Sequence, residues 1–243
     1  MILNDKKVVI IGHRGASKVG PENTLKSFKK AIELGADYIE FDIHKSKDGE
    51  IVIMHDSNTL ATTGHKGLIR RMTWEELKEL DCGEGEKIPT LQEVIDLAKG
   101  KIGLQIEIKA KNLANSLVSL LKSENLIEST LISSFLHEEL LKIHKIEPNL
   151  KVATLEPITT KFSKEWSYLG GIINNAIRYS CHAIHPRYNL VNQKFVDFVH
   201  ENNLKINIWT VNSRAAMKKF VRMGVDGLIT DDILKAKEVL EQI

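Results

Sequence analysis

Cysteine is scarce: Cys82 and Cys181 are the only two among 243 residues. Two cannot build a disulfide framework, and neither has a His or Cys at zinc-finger spacing. Both are expected as free thiols in a reducing compartment. Charge of one sign is scarce too. Lys plus Arg number 34 against 32 Asp plus Glu, a net charge of +2. Such a balance offers no bulk attraction to nucleic acid or to a membrane surface, so neither is an expected partner. Long apolar runs are missing, and no stretch approaches the ~20 apolar residues that cross a bilayer. The first residues are interrupted by Asn4, Asp5, Lys6 and Lys7, too soon for a signal-peptide core. A cytoplasmic protein with no stable membrane insertion is expected. Gly/Ser linkers, low-complexity tracts and clear repeats are absent as well, so residues 1–243 are expected to form one domain.

What is present is ordinary globular composition, 42% hydrophobic and 27% charged, arranged as alternating strands and helices. Short apolar runs predict strands at 8–11, 38–43, 51–54, 102–108, 130–133, 151–155, 183–185, 205–210 and 227–230. Amphipathic stretches predict helices at 22–34, 73–79, 91–98, 113–124, 137–145, 192–201, 213–223 and 233–241. Thr73…Glu76 and Thr90…Glu93 have the spacing of capping boxes. Alternation of this kind implies an α/β fold with a parallel sheet under helices. About eight units in one chain of this length favour a closed TIM-type (β/α)8 barrel. Nine strands are one too many. Asp48-Gly49 is a strong hairpin turn, so 51–54 should be a β-hairpin extension, antiparallel to the second stave. Residues 56–89, with one short helix, read as a small insertion over one face.

Tyr38-Ile-Glu-Phe-Asp-Ile43 places Glu40 and Asp42 on one side of its strand and Ile39, Phe41 and Ile43 on the other. The apolar side suits the helices, so the carboxylates face the barrel interior. They would repel there unless something positive sits between them. In Leu104-Gln-Ile-Glu-Ile-Lys109, Glu107 and Lys109 likewise face inward near the C-terminal strand end, where catalytic residues of such barrels gather. Glu40, Asp42 and Glu107 would form an oxygen-only metal site suited to Mg²⁺ or Ca²⁺. If Asp48-Gly49 is a two-residue turn, Lys47 pairs with Glu50, His44 faces Ile53 and Asp42 faces His55, which brings His55 to the carboxylates. The first strand ends in Ile11-Gly-His-Arg-Gly15, so His13 and Arg14 lie at the mouth. Arg14 and Lys109 suit phosphate oxygens; His13 and His55 suit general acid and base. Each residue alone also has a plain structural reading: a lone His after a strand, a buried Glu–Lys pair, two carboxylates paired with interior cations. The functional reading rests on their coincidence at the strand ends.

These residues resemble the glycerophosphodiester phosphodiesterase family. The likeness is carried by His13-Arg14-Gly15, Pro21-Glu-Asn-Thr24, Glu40-Phe41-Asp42, Val52-Ile-Met-His-Asp56, Pro89-Thr-Leu91, Glu107-Ile108-Lys109, Trp209-Thr-Val-Asn212 and Gly224-Val-Asp-Gly-Leu-Ile-Thr-Asp231. The resemblance implies hydrolysis of glycerophosphodiesters to sn-glycerol 3-phosphate and an alcohol. It implies His13 and His55 as the acid/base pair, Glu40, Asp42 and Glu107 as metal ligands, Arg14 and Lys109 as phosphate contacts, and Trp209 as a pocket wall. Two other readings are weighed against it. One is a lysophospholipase D-type phosphodiesterase, for which Leu60, Leu68, Ile69, Met72 and Trp74 of the insertion would provide an acyl channel. The other is a non-catalytic binding barrel, which should lack at least one of the five acidic and imidazole groups.

Overall fold

The structure, a computed structural model, describes residues 8–156 and 166–243. Its strands are β1 (Val9–Gly12), β2 (Tyr38–Lys45), β3 (Ile51–Ile53), β4 (Gly103–Ile108), β5 (Thr130–Ser134), β6 (Lys151–Leu155), β7 (Ala183–His185), β8 (Lys205–Ile208) and β9 (Gly227–Thr230). Eight of them close a parallel ring in the order β1-β2-β4-β5-β6-β7-β8-β9, with β9 paired back onto β1. The ninth, β3, lies outside the ring, antiparallel to β2. The helices are α1 (Leu25–Glu33), α2 (Leu60–Thr63), α3 (Trp74–Leu77), α4 (Leu91–Ala98), α5 (Ala114–Ser123), α6 (His137–Ile146), α7 (Trp166–Arg178), α8 (Gln193–Glu201), α9 (Arg214–Arg222) and α10 (Ile233–Glu241). This is the expected (β/α)8 barrel with its hairpin extension.

Strand alternation divides the interior into two layers. Outward residues Ile39, Phe41, Ile43, Leu104, Ile106 and Ile108 are buried under the helices, with Phe41 against Phe28 of α1 at 5.5 Å between ring centres. Each such side chain contributes roughly 1.5–3 kcal/mol by leaving water. Inside the ring, Leu131, Ala153 and Ala183 form a small apolar layer. Beside it His185 bridges Asn207 (3.0 Å) and Gln105 (3.4 Å). Burial drives the His185 pKa down to about 3, so this polar layer is uncharged. β3 and the residues between it and α4 build their own small core from Val52, Met54, Ile69, Leu77, Cys82 and Ile88.

Three local expectations need correction. The hairpin is one residue out of the expected register: Ile43 faces Ile53 and His44 faces Val52. Ser46 bonds across to Glu50, and Lys47-Asp48-Gly49 form a three-residue loop with Gly49 at φ 103°. The cause is Asp48, whose carboxylate is drawn off the turn to accept from Ser46 Oγ (2.5 Å) and the Trp74 N–H (3.1 Å). Helix α1 starts at Leu25, not at residue 22. Thr24 caps it reciprocally with Ser27, which frees Glu22 and Asn23 for other work. Helix α7 was not expected at all. Its Gly170-Gly171 pair, each about 1 kcal/mol worse than Ala in a helix, breaks the sequence signal. The stripe Leu169, Ile172, Ile173 and Ala176 is fully buried, so tertiary packing forms the helix regardless.

Candidate active site

Strand ends set the site. β1 delivers His13 and Arg14, β4 delivers Lys109, β5 Phe135, β8 Trp209 and β9 Asp231, each the residue or residues just past the end of its strand. Arg14 has φ 53° and Gly15 φ 87°. A Cβ on Gly15 would collide with Ser27, so only glycine lets this loop turn against α1. The turn aims the Arg14 N–H at Glu40 Oε2, 2.9 Å away.

The three inward carboxylates meet. Glu40, Asp42 and Glu107 each offer an oxygen within 4.8 Å of the others, and all three are buried. Lys109 Nζ stands 2.6 Å from Glu107 Oε1 and 3.2 Å from Asp42 Oδ1. Arg14 Nε is 3.6 Å from Asp42 Oδ2, but its Nη1 is engaged by both oxygens of Glu22 at 2.8 and 3.0 Å. Asn23 donates to Asp42 Oδ2 at 2.9 Å. Four carboxylates thus share two cations. Burial and the Asp42 charge push Glu40 up to about 7 and Glu107 up to about 8. Asp42 is also opposed by burial, yet Lys109, His55 and Arg14 together hold it below the usual carboxylate range. The oxygen donors exceed their protein counter-charges in a dry site, the condition a divalent cation satisfies.

Both histidines are oriented by carboxylates. His13 Nδ1 lies 2.7 Å from Asp231 Oδ1. Asp231 is itself held by Asn212 (2.5 Å) and Ser17 (3.1 Å). Burial opposes protonation of His13, but Asp231 and Glu40 raise its pKa above the ordinary value. His55 Nδ1 lies 2.8 Å from Asp56, and burial lowers its pKa despite the Asp42 charge. Because β3 ends at Ile53, His55 has left the ladder when it reaches the site. The face-sharing argument from hairpin register therefore fails, although His55 arrives beside the carboxylates all the same. His44, buried below it, bonds the His55 carbonyl from Nε2 at 3.1 Å.

His13, Arg14, Glu40, His55, Glu107, Lys109 and Trp209 line one cavity of about 250 Å³, together with Gln105, Phe135, Leu155 and Ile229. Asp42 sits beneath it, joined through the carboxylate cluster. Trp209 donates to the His185 carbonyl at 2.8 Å and packs edge-on against Phe135 at 5.9 Å. Leu60, Leu68, Ile69, Met72 and Trp74 are not among the lining residues. Sequence reasoning singled out neither Asp231 nor Asn23, Glu22 and Asp56. All four stand inside motifs that carry the resemblance, but their roles depend on pairings that no local pattern encodes.

A barrel with an acidic cluster, two carboxylate-oriented imidazoles and two cations at the C-terminal rim has the parts of a phosphodiester hydrolase. Residues 13–235 match the Glycerophosphoryl diester phosphodiesterase family, and the chain belongs to that family. It is 37% identical to a glycerophosphodiester phosphodiesterase of Caldanaerobacter subterraneus subsp. tengcongensis, across 93% of this chain and 95% of that protein. It is 30% identical to a glycerophosphodiester phosphodiesterase of Bacillus altitudinis, across 96% and 98%. Among solved structures it resembles an Oleispira antarctica phosphodiesterase in complex with the product sn-glycerol-3-phosphate, with TM-score 0.85 and 27% identity over 96% of each chain.

Proposed function

We infer that this chain hydrolyses glycerophosphodiesters to sn-glycerol 3-phosphate and an alcohol, with residues 1–243 acting as one catalytic barrel. The observation that carries the reading is the meeting of Glu40, Asp42 and Glu107 within 4.8 Å in a cavity shared with His13, His55, Arg14 and Lys109. Glu40, Asp42 and Glu107 would hold a divalent ion, Mg²⁺ or Ca²⁺ by its all-oxygen donors. When bound, the ion supplies Lewis-acid stabilisation of the phosphodiester charge. Arg14 and Lys109 add positive charge against the non-bridging oxygens as phosphorus is attacked. One histidine removes a proton from the attacking hydroxyl, and the other protonates the alcohol oxygen as it departs. With Nδ1 of each ring held by a carboxylate, Nε2 is the nitrogen left for that transfer. Trp209 would line the pocket beside the glycerol portion. The unbridged thiols Cys82 and Cys181 support a cytoplasmic setting, and no helix among the described residues is long and apolar enough to cross a membrane.

The test is turnover of glycerophosphocholine by the purified chain with Mg²⁺ or Ca²⁺, read as sn-glycerol 3-phosphate by a coupled dehydrogenase assay. Product that disappears with a chelator and returns with the cation supports the reading. No product with either cation overturns it.

A further inference from the structure

On its β5–β6 side the active-site cavity borders a second groove among the described residues. Phe135 and Leu155 wall both. That groove runs between the end of β6 and helices α6 and α7, past His137, Glu156, Tyr168, Ile172 and Asn175. Strand parity explains its composition. Leu155 is the last inward residue of β6, so Glu156 turns the opposite way, into the layer under the helices.

Glu156 is the anomaly of this region. It is buried, and among the described residues its Oε1 has no hydrogen-bond partner. His137 Nε2 lies 4.0 Å from it and is directed to the Leu155 carbonyl at 3.0 Å. Ser133 also carries an unpartnered buried oxygen, but that is a neutral hydroxyl and its desolvation is far milder; the Thr154 hydroxyl, on the same face of β6, favours the charged form of Glu156. A buried carboxylate with so little compensating charge is unfavourable unless a cation arrives. Burial outweighs the Thr154 hydroxyl and pushes its pKa up to about 7. Tyr168 is close enough that, after burial, the Glu156 charge raises the phenol's pKa too. An acidic group flanked by Phe135 and Tyr168 has the make-up of a site for an organic ammonium ion, where ring faces and a carboxylate act together.

The position fits one half of a diester. Lys109, assigned above to the phosphate, has its Nζ 6.0 Å from the centre of the Phe135 ring. A phosphodiester held there would have one ester arm within reach of Phe135 and the groove beside it.

We propose that this groove receives the departing alcohol, and that Glu156 selects alcohols carrying an ammonium group over neutral ones. The inference rests on the diester-hydrolase reading, and the experiment separates the two. Glycerophosphocholine and glycerophosphoglycerol are compared as substrates for the parent chain and for Glu156→Gln, with the ratio of their kcat/KM values as the readout. The parent should prefer the choline diester, and the substitution should cut that preference by roughly tenfold. An unmoved ratio overturns the inference while leaving the hydrolase reading intact. No turnover of either diester by the parent overturns both. A second measurement needs no variant: choline should inhibit the parent more strongly than its uncharged carbon isostere, dimethylbutanol, and equal inhibition overturns the inference.

Discussion

Chelating divalent ions should make the fold lose stability as pH rises, and adding a cation should reverse the loss. Glu40 and Glu107 have pKa values of about 7 and about 8 in the folded chain, against 4.5 for an ordinary glutamate. Between these limits the folded chain holds protons that the unfolded chain has released. Stability therefore falls as pH climbs from about 4.5 through about 8, and the penalty is absent below that window. Each pKa unit corresponds to about 1.4 kcal/mol, so the loss is on the order of several kcal/mol, a large share of the 5–15 kcal/mol typical of a domain. Asp42 works in the opposite sense. Its depressed pKa contributes stability that is lost only in more acid solution, outside this window. A cation at a hundred times its Kd returns about 2.7 kcal/mol, which for a chain of this size raises Tm by roughly 5–11 °C. Because the cation displaces protons, the gain should be larger at about pH 8 than at about pH 5.5. Scanning calorimetry at both pH values, with chelator, Mg²⁺ or Ca²⁺, reads it directly. Glu107→Gln should shrink the cation-dependent gain, and at about pH 8 the chelated variant should be at least as stable as its chelated parent, having one less charge to bury. An identical Tm with and without cation at about pH 8, or a larger gain at the lower pH, would refute the charge accounting.

Other outcomes follow from the same geometry. His13→Ala and His55→Ala should each lower kcat on glycerophosphocholine by about 10²–10⁴ without changing the circular dichroism spectrum; full activity in either variant removes that residue from proton transfer. Asp231→Asn weakens the larger of the two contacts that raise the His13 pKa and leaves Glu40 alone against burial and Arg14. The limb of the pH–rate profile set by His13 should then move to lower pH, and an unmoved limb would show that Asp231 does not tune this histidine. Lys109→Met removes a counter-charge from both Asp42 and Glu107. Its kcat/KM should fall by about 10², and a loss smaller than threefold would argue that Lys109 serves only as a buried ion-pair partner.

Much of this site was legible because it is written in strand parity. Two carboxylates two residues apart in β2, opposite three apolar residues, leave one choice of which face is dry and apolar. The Thr73 and Thr90 capping boxes form as spaced because they involve only four consecutive residues. What failed depends on competition that the local pattern does not show. Asp48 had two roles open to it, turn residue or acceptor for the Trp74 N–H, and the second shifted the hairpin by one. Leu169, Ile172, Ile173 and Ala176 make a sound helical stripe, but Gly170-Gly171 obscured it until packing decided. The Asp231–His13 contact joins residues 218 positions apart, a pairing that exists only once β9 closes against β1.

Ring closure also explains why the charge sits where it does. Inward positions must be filled, and at mid-height they are filled by neutral groups: the His185 bridge and the small Leu131, Ala153 and Ala183 layer. Those layers carry no ionised side chain, so they add no charge to be compensated. Only the rim layer accepts Glu40, Asp42 and Glu107, where four carboxylates including Glu22 face two cations. That layer is destabilising by itself, and the outward apolar layer of Ile39, Phe41, Ile43, Leu104, Ile106 and Ile108 compensates for it on the same two strands. The alternation that anchors β2 and β4 to the helices is therefore what holds mutually repelling carboxylates together, and their repulsion makes the site attract a cation, which with Arg14 and Lys109 would draw an anionic diester.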